Sequence, residues 1–465
     1  MIREAITKNG AVRGLAADDP RITVFRGIPF AAPPVGENRW KAPKPCENWE
    51  GIRNCYEFGP ISMQDQPGVS GDIYCREFHV DPDIPASEDS LYLNVWTGAK
   101  STDDKLPVLV FIYGGAFQWG YTAEMEFNGE RLARHGIVVV TIAYRLGVFG
   151  FLAHPDLPRE DALHPANFGL LDQLAGLRWV HDNIAAFGGD SGKITLAGQS
   201  AGGMSVAYAL ANPDAAKMID KAAILSGLIR NPFFSDAIIS PVTYEEAQKN
   251  GKTFLEYIGC ASIEEARSVD SITLRDKYKE YASSHPRFVP CIDGVYAKED
   301  PYKLMLEAKL PDVPFLTGYT RDEFLDVLPI SADPNDDRIK ADIITRNGQR
   351  LINTVQNSVR NVANTHVRST LDAPMYVYMF GPDIPGPDKP GAFHSCDLWF
   401  FFETIQKCWR PYNGLHYELA RRMCDYFSNF IKTGDPNGTG YDGKALPEWK
   451  KISSKDPSDD EMDFT

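Results

Sequence analysis

Phe187-Gly188-Gly189-Asp190-Ser191-Gly192-Lys193-Ile194-Thr195-Leu196-Ala197-Gly198-Gln199-Ser200-Ala201-Gly202-Gly203 is the stretch whose reading decides the fold. It carries a G-x-S-x-G pentapeptide, Gly198 to Gly202, directly after a short apolar run. Ile194–Ala197 reads as a buried strand, and the chain from Met204 onward reads as a helix. Ser200 then sits on a sharp strand-to-helix turn that lifts its hydroxyl clear of the sheet. Gly198 and Gly202 fit because side chains there would crowd the turn. The pentapeptide alone is a weak signal, and an ordinary loop serine is the plain alternative, so the reading depends on its partners.

Outward from that stretch, β-branched apolar runs alternate with helical patterns. Leu106–Tyr113, Ile137–Tyr144, Ala222–Leu225, Val313–Thr317 and Met375–Phe380 read as buried strands. Leu170–Phe187 and Met204–Leu210 read as helices. The alternation predicts an α/β fold with a mostly parallel sheet covered on both faces. Residues 1–465 read as one domain. Arg230–Pro286 and Arg338–Arg368 are polar and helix-like, and are expected to form cap insertions, about 230–286 and 325–370.

Composition excludes several classes. The 465 residues are 43% hydrophobic and 24% charged, with a formal net charge of −15. A nucleic-acid partner would call for a basic face that releases counterions, and none is expected here. No run approaches the ~18 apolar residues that a membrane span needs. The N-terminus lacks an apolar leader core. Cys46, Cys55, Cys75, Cys260, Cys291, Cys396, Cys408 and Cys424 are scattered without a C-x-x-C pair. Reduced thiols in a cytoplasmic protein are expected, with a mature secreted form as the alternative.

A serine hydroxyl needs a base, and the base needs a carboxylate to orient it. In α/β-hydrolases the chain order is serine, acid, histidine. His394 lies in a glycine-containing loop after the Met375–Phe380 run, whereas His416 falls inside an amphipathic helical pattern. The acid is sought after Val313–Thr317, in Gly318-Tyr319-Thr320-Arg321-Asp322-Glu323-Phe324. Spacing alone leaves Asp322 and Glu323 open. The oxyanion of an acyl-transfer intermediate needs backbone donors. Ala201 supplies one, and the turn Tyr113-Gly114-Gly115-Ala116-Phe117 is the source of the others.

These residues together resemble the type-B carboxylesterase family, which includes cholinesterases and bacterial para-nitrobenzyl esterases. The resemblance runs from about Gly10 to Phe464. Its landmarks are Phe25-Arg26-Gly27-Ile28-Pro29-Phe30-Ala31, Ser87-Glu88-Asp89-Ser90-Leu91-Tyr92-Leu93-Asn94-Val95-Trp96, the elbow, Phe288-Val289-Pro290-Cys291-Ile292-Asp293-Gly294 and Gly434-Asp435-Pro436-Asn437. The resemblance implies an α/β-hydrolase fold and a serine carboxylesterase that needs no cofactor and no metal. It assigns Ser200, Glu323 and His394 as the triad and Gly115, Ala116 and Ala201 as oxyanion donors. Gln199, Ser226 and Asp397 would support them, and Phe117 and Phe288 would line the substrate pocket. It also implies buried ion pairs Arg145–Asp172 and Arg39–Glu88.

Departures from the family pattern carry information. Both halves of the family's first disulfide are serine here, Ser62 and Ser90. Cys260 lacks its partner, and all eight cysteines are expected to be free, with Cys396 open to alkylation beside the site. Gln199 and Val80 replace a glutamate and a tryptophan that serve choline binding. A neutral carboxylic ester of short to medium acyl length is therefore the expected small-molecule substrate. A specialised esterase for feruloyl, toxin or drug-like esters is the alternative. A non-catalytic interaction protein is the rival class, opposed by the intact Ser200, Glu323 and His394. Phe324 replaces a common glycine for no evident reason.

Overall fold

A computed structural model describes residues 1–229, 242–324, 354–454 and 456–465. Its centre is a ten-stranded sheet. From one edge to the other the strands are Met462–Phe464, Met375–Phe380, Phe315–Thr320, Lys221–Leu225, Gly189–Gln199, Leu106–Ile112, Val138–Ile142, Tyr92–Thr97, Thr23–Pro29 and Leu15–Ala16. Pairing is parallel from Met462–Phe464 through Val138–Ile142 and antiparallel beyond it. The expected α/β fold is thus present, with an antiparallel flank.

The central strands are apolar on both faces because helices cover both. Val108 to Ile112 and Val138 to Val140 are almost wholly buried. Such runs lack the in–out alternation of a half-solvated strand, as expected for the inner part of a parallel sheet. The Phe168–Asn183 and Ala201–Ala211 helices match the two helical readings, each starting earlier than periodicity suggested. The flanking strand Thr23–Pro29 and the edge strand Met462–Phe464 lie outside the runs that read as strands. Both are short or carry Pro and Gly, and pairing with a neighbour, not propensity, makes them strands.

Two expected ion pairs pin the loops around this sheet. Arg145 Nε and Nη2 donate to the Asp172 carboxylate at 2.8 and 2.7 Å, and the Arg145 amide adds a third bond at 3.0 Å. Arg39 Nε and Nη2 meet Glu88 at 2.7 and 2.5 Å, while Nη1 donates to the carbonyls of Ala266 and Val269. That guanidinium therefore ties the first insertion to the N-terminal part of the sheet. Helices Tyr244–Tyr257 and Ser271–Ala282 of this insertion stand over the C-terminal ends of the strands. In the second insertion, helix Thr354–Arg368 packs on strands Phe315–Thr320 and Met375–Phe380 as a covering layer, not as a cap. Residues 325–353 lie outside the described residues.

All eight cysteines are unpaired. Ser62 and Ser90 bring their hydroxyl oxygens to 3.0 Å, and Ser62 donates to the Tyr144 carbonyl at 2.6 Å. A buried polar contact joins the two serines that replace the halves of the family's first disulfide, as the free-thiol expectation requires.

Candidate active site

The elbow is built by backbone sterics. Ser200 has φ 55° and ψ −124°, a left-handed conformation that a side-chain-bearing residue adopts only under constraint. The constraint is close packing. A Cβ at Gly202 would overlap the Ile112 carbonyl oxygen, and one at Gly198 would overlap the backbone of Gly202. The Ser200 amide donates to the Leu225 carbonyl at 2.9 Å, and its own carbonyl accepts from Met204 at 2.9 Å. The strand before and the helix after therefore hold the turn on both sides.

Ser200 faces a cavity of about 1570 Å³ that Gly114, Gly115, Ala116, Gln199 and His394 also line. The glycine turn follows the Leu106–Ile112 strand and bends at Gly115, φ 99°, where a Cβ would overlap the Trp119 carbonyl. Gly115 accepts from the amides of Gln118 and Trp119 at 2.8 and 2.9 Å. Among the described residues, no acceptor takes the amide hydrogens of Gly115 or Ala116. Ala201 begins its helix, where the first amides have no carbonyl within the helix to bond. Gly115 and Ala116 line the cavity with Ser200, and Ala201 follows Ser200 at the start of its helix.

His394 reaches the cavity from the loop after Met375–Phe380. Its Nδ1 is hydrogen bonded to Glu323 Oε2, and Glu323 Oε1 accepts from the Thr320 amide at 2.9 Å. Both side chains are buried. The structure thus selects Glu323 from the two acids left open by spacing. Asp322 does a different job. Its Oδ2 accepts from the Ala392 amide at 2.8 Å, and its own amide donates to the Ala392 carbonyl at 3.1 Å, clamping the histidine loop. The Gln199 Nε2 lies 3.3 Å from His394 Nε2. Phe324, unexplained by sequence, stacks its ring on His394 at 4.2 Å and also lines the cavity.

Supporting residues divide. Asp397 is fully buried and accepts the Tyr378 hydroxyl at 2.6 Å. Burial and the nearby Glu323 push its carboxyl up to about 6, against the lowering effect of Tyr378 and His394. Ser226, φ 45°, is buried beside the elbow, and its hydroxyl has no partner among the described residues. Phe288 lines the cavity as implied. Phe117 does not. It is 1% exposed, packs edge-on against Phe151 at 5.3 Å, and leaves Phe151 to face the cavity. The reason is the turn itself: φ 61° at Phe117 aims the side chain into the core while its carbonyl accepts from Gly147. Cys396 is also a correction. Ser395, φ 76°, reverses the chain after His394 and buries Cys396 completely, so it is not open to alkylation. Burial and neighbouring carboxylates raise its thiol well above the ordinary value.

Sequence reading missed one arrangement behind the histidine. Arg410 Nε meets both Glu77 oxygens at 3.0 and 2.9 Å, and its two terminal nitrogens meet Asp388 at 2.9 and 3.0 Å. The guanidinium lies 5.3 Å from the Phe393 ring, adjacent in sequence to His394. Its three members are 333 and 22 residues apart, so no local signal exists. His416, set aside from the sequence, bonds Asn413 and the Asp383 carbonyl at a helix start. Away from the cavity, His135, Glu403 and Cys424 converge. Burial, with Lys432 and Arg134 adding to it, pushes His135 down to about 4, and burial raises the Cys424 thiol. Those positive neighbours disfavour a cation there.

Comparison with known proteins agrees with this geometry. The profile of the carboxylesterase family matches residues 3–354 and 335–463. The chain is 32% identical to para-nitrobenzyl esterase of Bacillus subtilis, over 95% of this chain and 92% of that one. It is 30% identical to carboxylesterase 4A of Bos taurus, over 99% and 91%. A solved para-nitrobenzyl esterase superposes with a TM-score of 0.77 at 30% identity, covering 94% of this chain and 92% of that one. A Geobacillus stearothermophilus carboxylesterase gives 0.76 at 29% identity, covering 96% and 94%. With an elbow serine, a Glu323-held histidine and a glycine turn around one cavity, this chain belongs to the carboxylesterase family and is a carboxylic ester hydrolase of the α/β-hydrolase fold.

Proposed function

We propose that Ser200 is the nucleophile, His394 the base and Glu323 the carboxylate that orients it. The observation that carries this is the strained Ser200 in the same cavity as His394, whose other ring nitrogen is held by Glu323. Ser200 Oγ attacks the ester carbonyl carbon while His394 Nε2 takes the hydroxyl proton. The carbonyl oxygen becomes an oxyanion facing the Gly115, Ala116 and Ala201 amides. The tetrahedral intermediate collapses, the C–O bond to the alcohol breaks, and the imidazolium gives its proton to the leaving oxygen. Water then repeats the sequence on the acyl-enzyme, with His394 as base again.

Aromatic side chains Phe151, Phe288 and Phe324 give the cavity apolar walls, which favour an apolar ester part. Its volume leaves room for more than a small acyl group, and this favours the second reading, an esterase of bulky aromatic or drug-like esters. Val80, which stands where a choline-binding tryptophan would, is partly exposed and does not line the cavity. The unpaired cysteines support a reducing, cytoplasmic compartment. Among the described residues no helix is long and apolar enough to cross a membrane. The test is a panel of p-nitrophenyl esters of rising acyl length with bulky aromatic esters alongside, plus a fluorophosphonate probe. Turnover together with labelling at Ser200 is expected; labelling at another serine would remove the assignment.

A further inference from the structure

One wall of the cavity carries charge that the catalytic steps do not use. Downstream of the glycine turn, Glu124 and Glu126 both line it, alongside His79 and the apolar Phe78, Phe127 and Leu398. Glu126 is 1% exposed and Glu124 is buried as well. The two carboxyl groups are close neighbours. Glu124 Oε1 accepts from the Tyr121 amide at 2.6 Å, and its Oε2 lies 3.6 Å from His79 Nε2. Glu126 Oε2 has no hydrogen-bond partner among the described residues. Burial first, and then the neighbouring Glu124, raise the Glu126 carboxyl well above the ordinary range.

A buried acid whose second oxygen has no partner is an expensive way to build an apolar wall. Leucine or valine would fill that space more stably. The backbone of Glu126 is fixed from behind, where the Thr404 hydroxyl donates to its carbonyl at 2.6 Å, so the side chain's place in the wall is determined by the fold. Two adjacent buried carboxyl groups repel each other when ionised, so the protonated form of Glu126 is favoured until a counter-charge arrives. A ligand ammonium can take that proton's place. It brings the counter-charge to a wall where Glu126 Oε2 has no hydrogen-bond partner among the described residues.

We propose that Glu124 and Glu126, with His79 behind them, form a subsite of this cavity that takes a protonated primary or secondary amine on the substrate. The proposal rests on the cavity being the ester site. It departs from the expectation of a neutral substrate, which considered only Val80 and Gln199. A quaternary ammonium has no N–H to donate, so choline esters remain poor candidates.

The probes are n-butylammonium, 1-butanol and butyltrimethylammonium, tested as competitive inhibitors of p-nitrophenyl acetate hydrolysis at 0.15 M salt. An inhibition constant for n-butylammonium at least tenfold below both others is expected, and equal constants would overturn the subsite. Glu126→Gln and Glu124→Gln should each erase most of that preference, and a preference kept in both variants would overturn it too. The same ranking should appear as thermal stabilisation of Ser200→Ala by the three probes, a readout that needs no turnover. A preference there, in an enzyme whose wild type hydrolyses no ester, would spare the amine site and sink the esterase reading. Ester turnover without the preference would do the reverse.

Discussion

The two sides of the catalytic cavity are held in different ways. On the serine side, backbone does the work: a φ of 55° at Ser200, carbonyls packed against Gly198 and Gly202, and a glycine turn bent at Gly115. On the histidine side, side chains do it: Glu323 on His394, Asp322 on the Ala392 backbone, Phe324 on the imidazole face and Arg410 behind Phe393. The first arrangement is local to a few residues of neighbouring strands. The second gathers residues from distant parts of the chain. A site built this way has a serine fixed by backbone and a histidine whose placement depends on several separable contacts.

The sharpest way to break that comparison is within the Asp322-Glu323 pair. Glu323→Gln should lower kcat/KM for p-nitrophenyl acetate by roughly 10³–10⁴-fold, since the imidazolium loses its orienting charge. Asp322→Asn should lose far less, because its role is to hold the loop. Equal losses would show that loop position, not the carboxylate on His394, limits the rate.

Next is Arg410→Met. It leaves Glu77 buried without a counter-charge and Asp388 without its bidentate partner. A loss of about 3–5 kcal/mol in denaturant unfolding is expected. If the histidine side depends on this network, activity near the unfolding midpoint should fall before the global unfolding signal changes.

The serine side is tested by Gly202→Ala. The new methyl would meet the Ile112 carbonyl, and strands cannot move apart without breaking the sheet. A stability loss of about 2–3 kcal/mol is expected, with a larger proportional fall in kcat than in KM. Tolerance of this change would mean that the elbow is softer than its packing suggests.

The last effect concerns pH. Asp397 titrates near 6 in the fold against 3.8 as its reference value. Between those values the folded chain holds a proton that the unfolded chain has lost, so its contribution to stability falls as pH rises from about 4 to 6 and is flat above. Two units correspond to about 3 kcal/mol as an upper bound. Asp397→Asn should remove that slope, so the variant gains on the wild type as pH rises through this window. Parallel stability curves for the two proteins would show that Asp397 is not raised.

The elbow was legible because its causes are local. A β-branched run, a pentapeptide with glycines at fixed places and a helical pattern follow one another within twenty residues. The inner strands were legible for the same reason: burial on both faces leaves an unbroken apolar run. The Arg145–Asp172 and Arg39–Glu88 pairs were reached through family motifs and not through spacing. Phe117 was misplaced because sequence adjacency to the glycine turn says nothing of where a left-handed residue aims its side chain.

By itself, then, the sequence determined the α/β layering, the elbow that carries Ser200 and the loop that carries His394, since each is written in a short stretch with its own steric logic. Spacing left Glu323 and Asp322 open and only the family resemblance chose Glu323, whereas tertiary structure alone decided that Phe151 replaces Phe117 at the wall and that Glu124 and Glu126 line the same cavity. Those outcomes depend on the direction of side chains after turns and on contacts across tens to hundreds of residues. Such contacts are selected by packing and desolvation in the folded molecule, and no local pattern carries them.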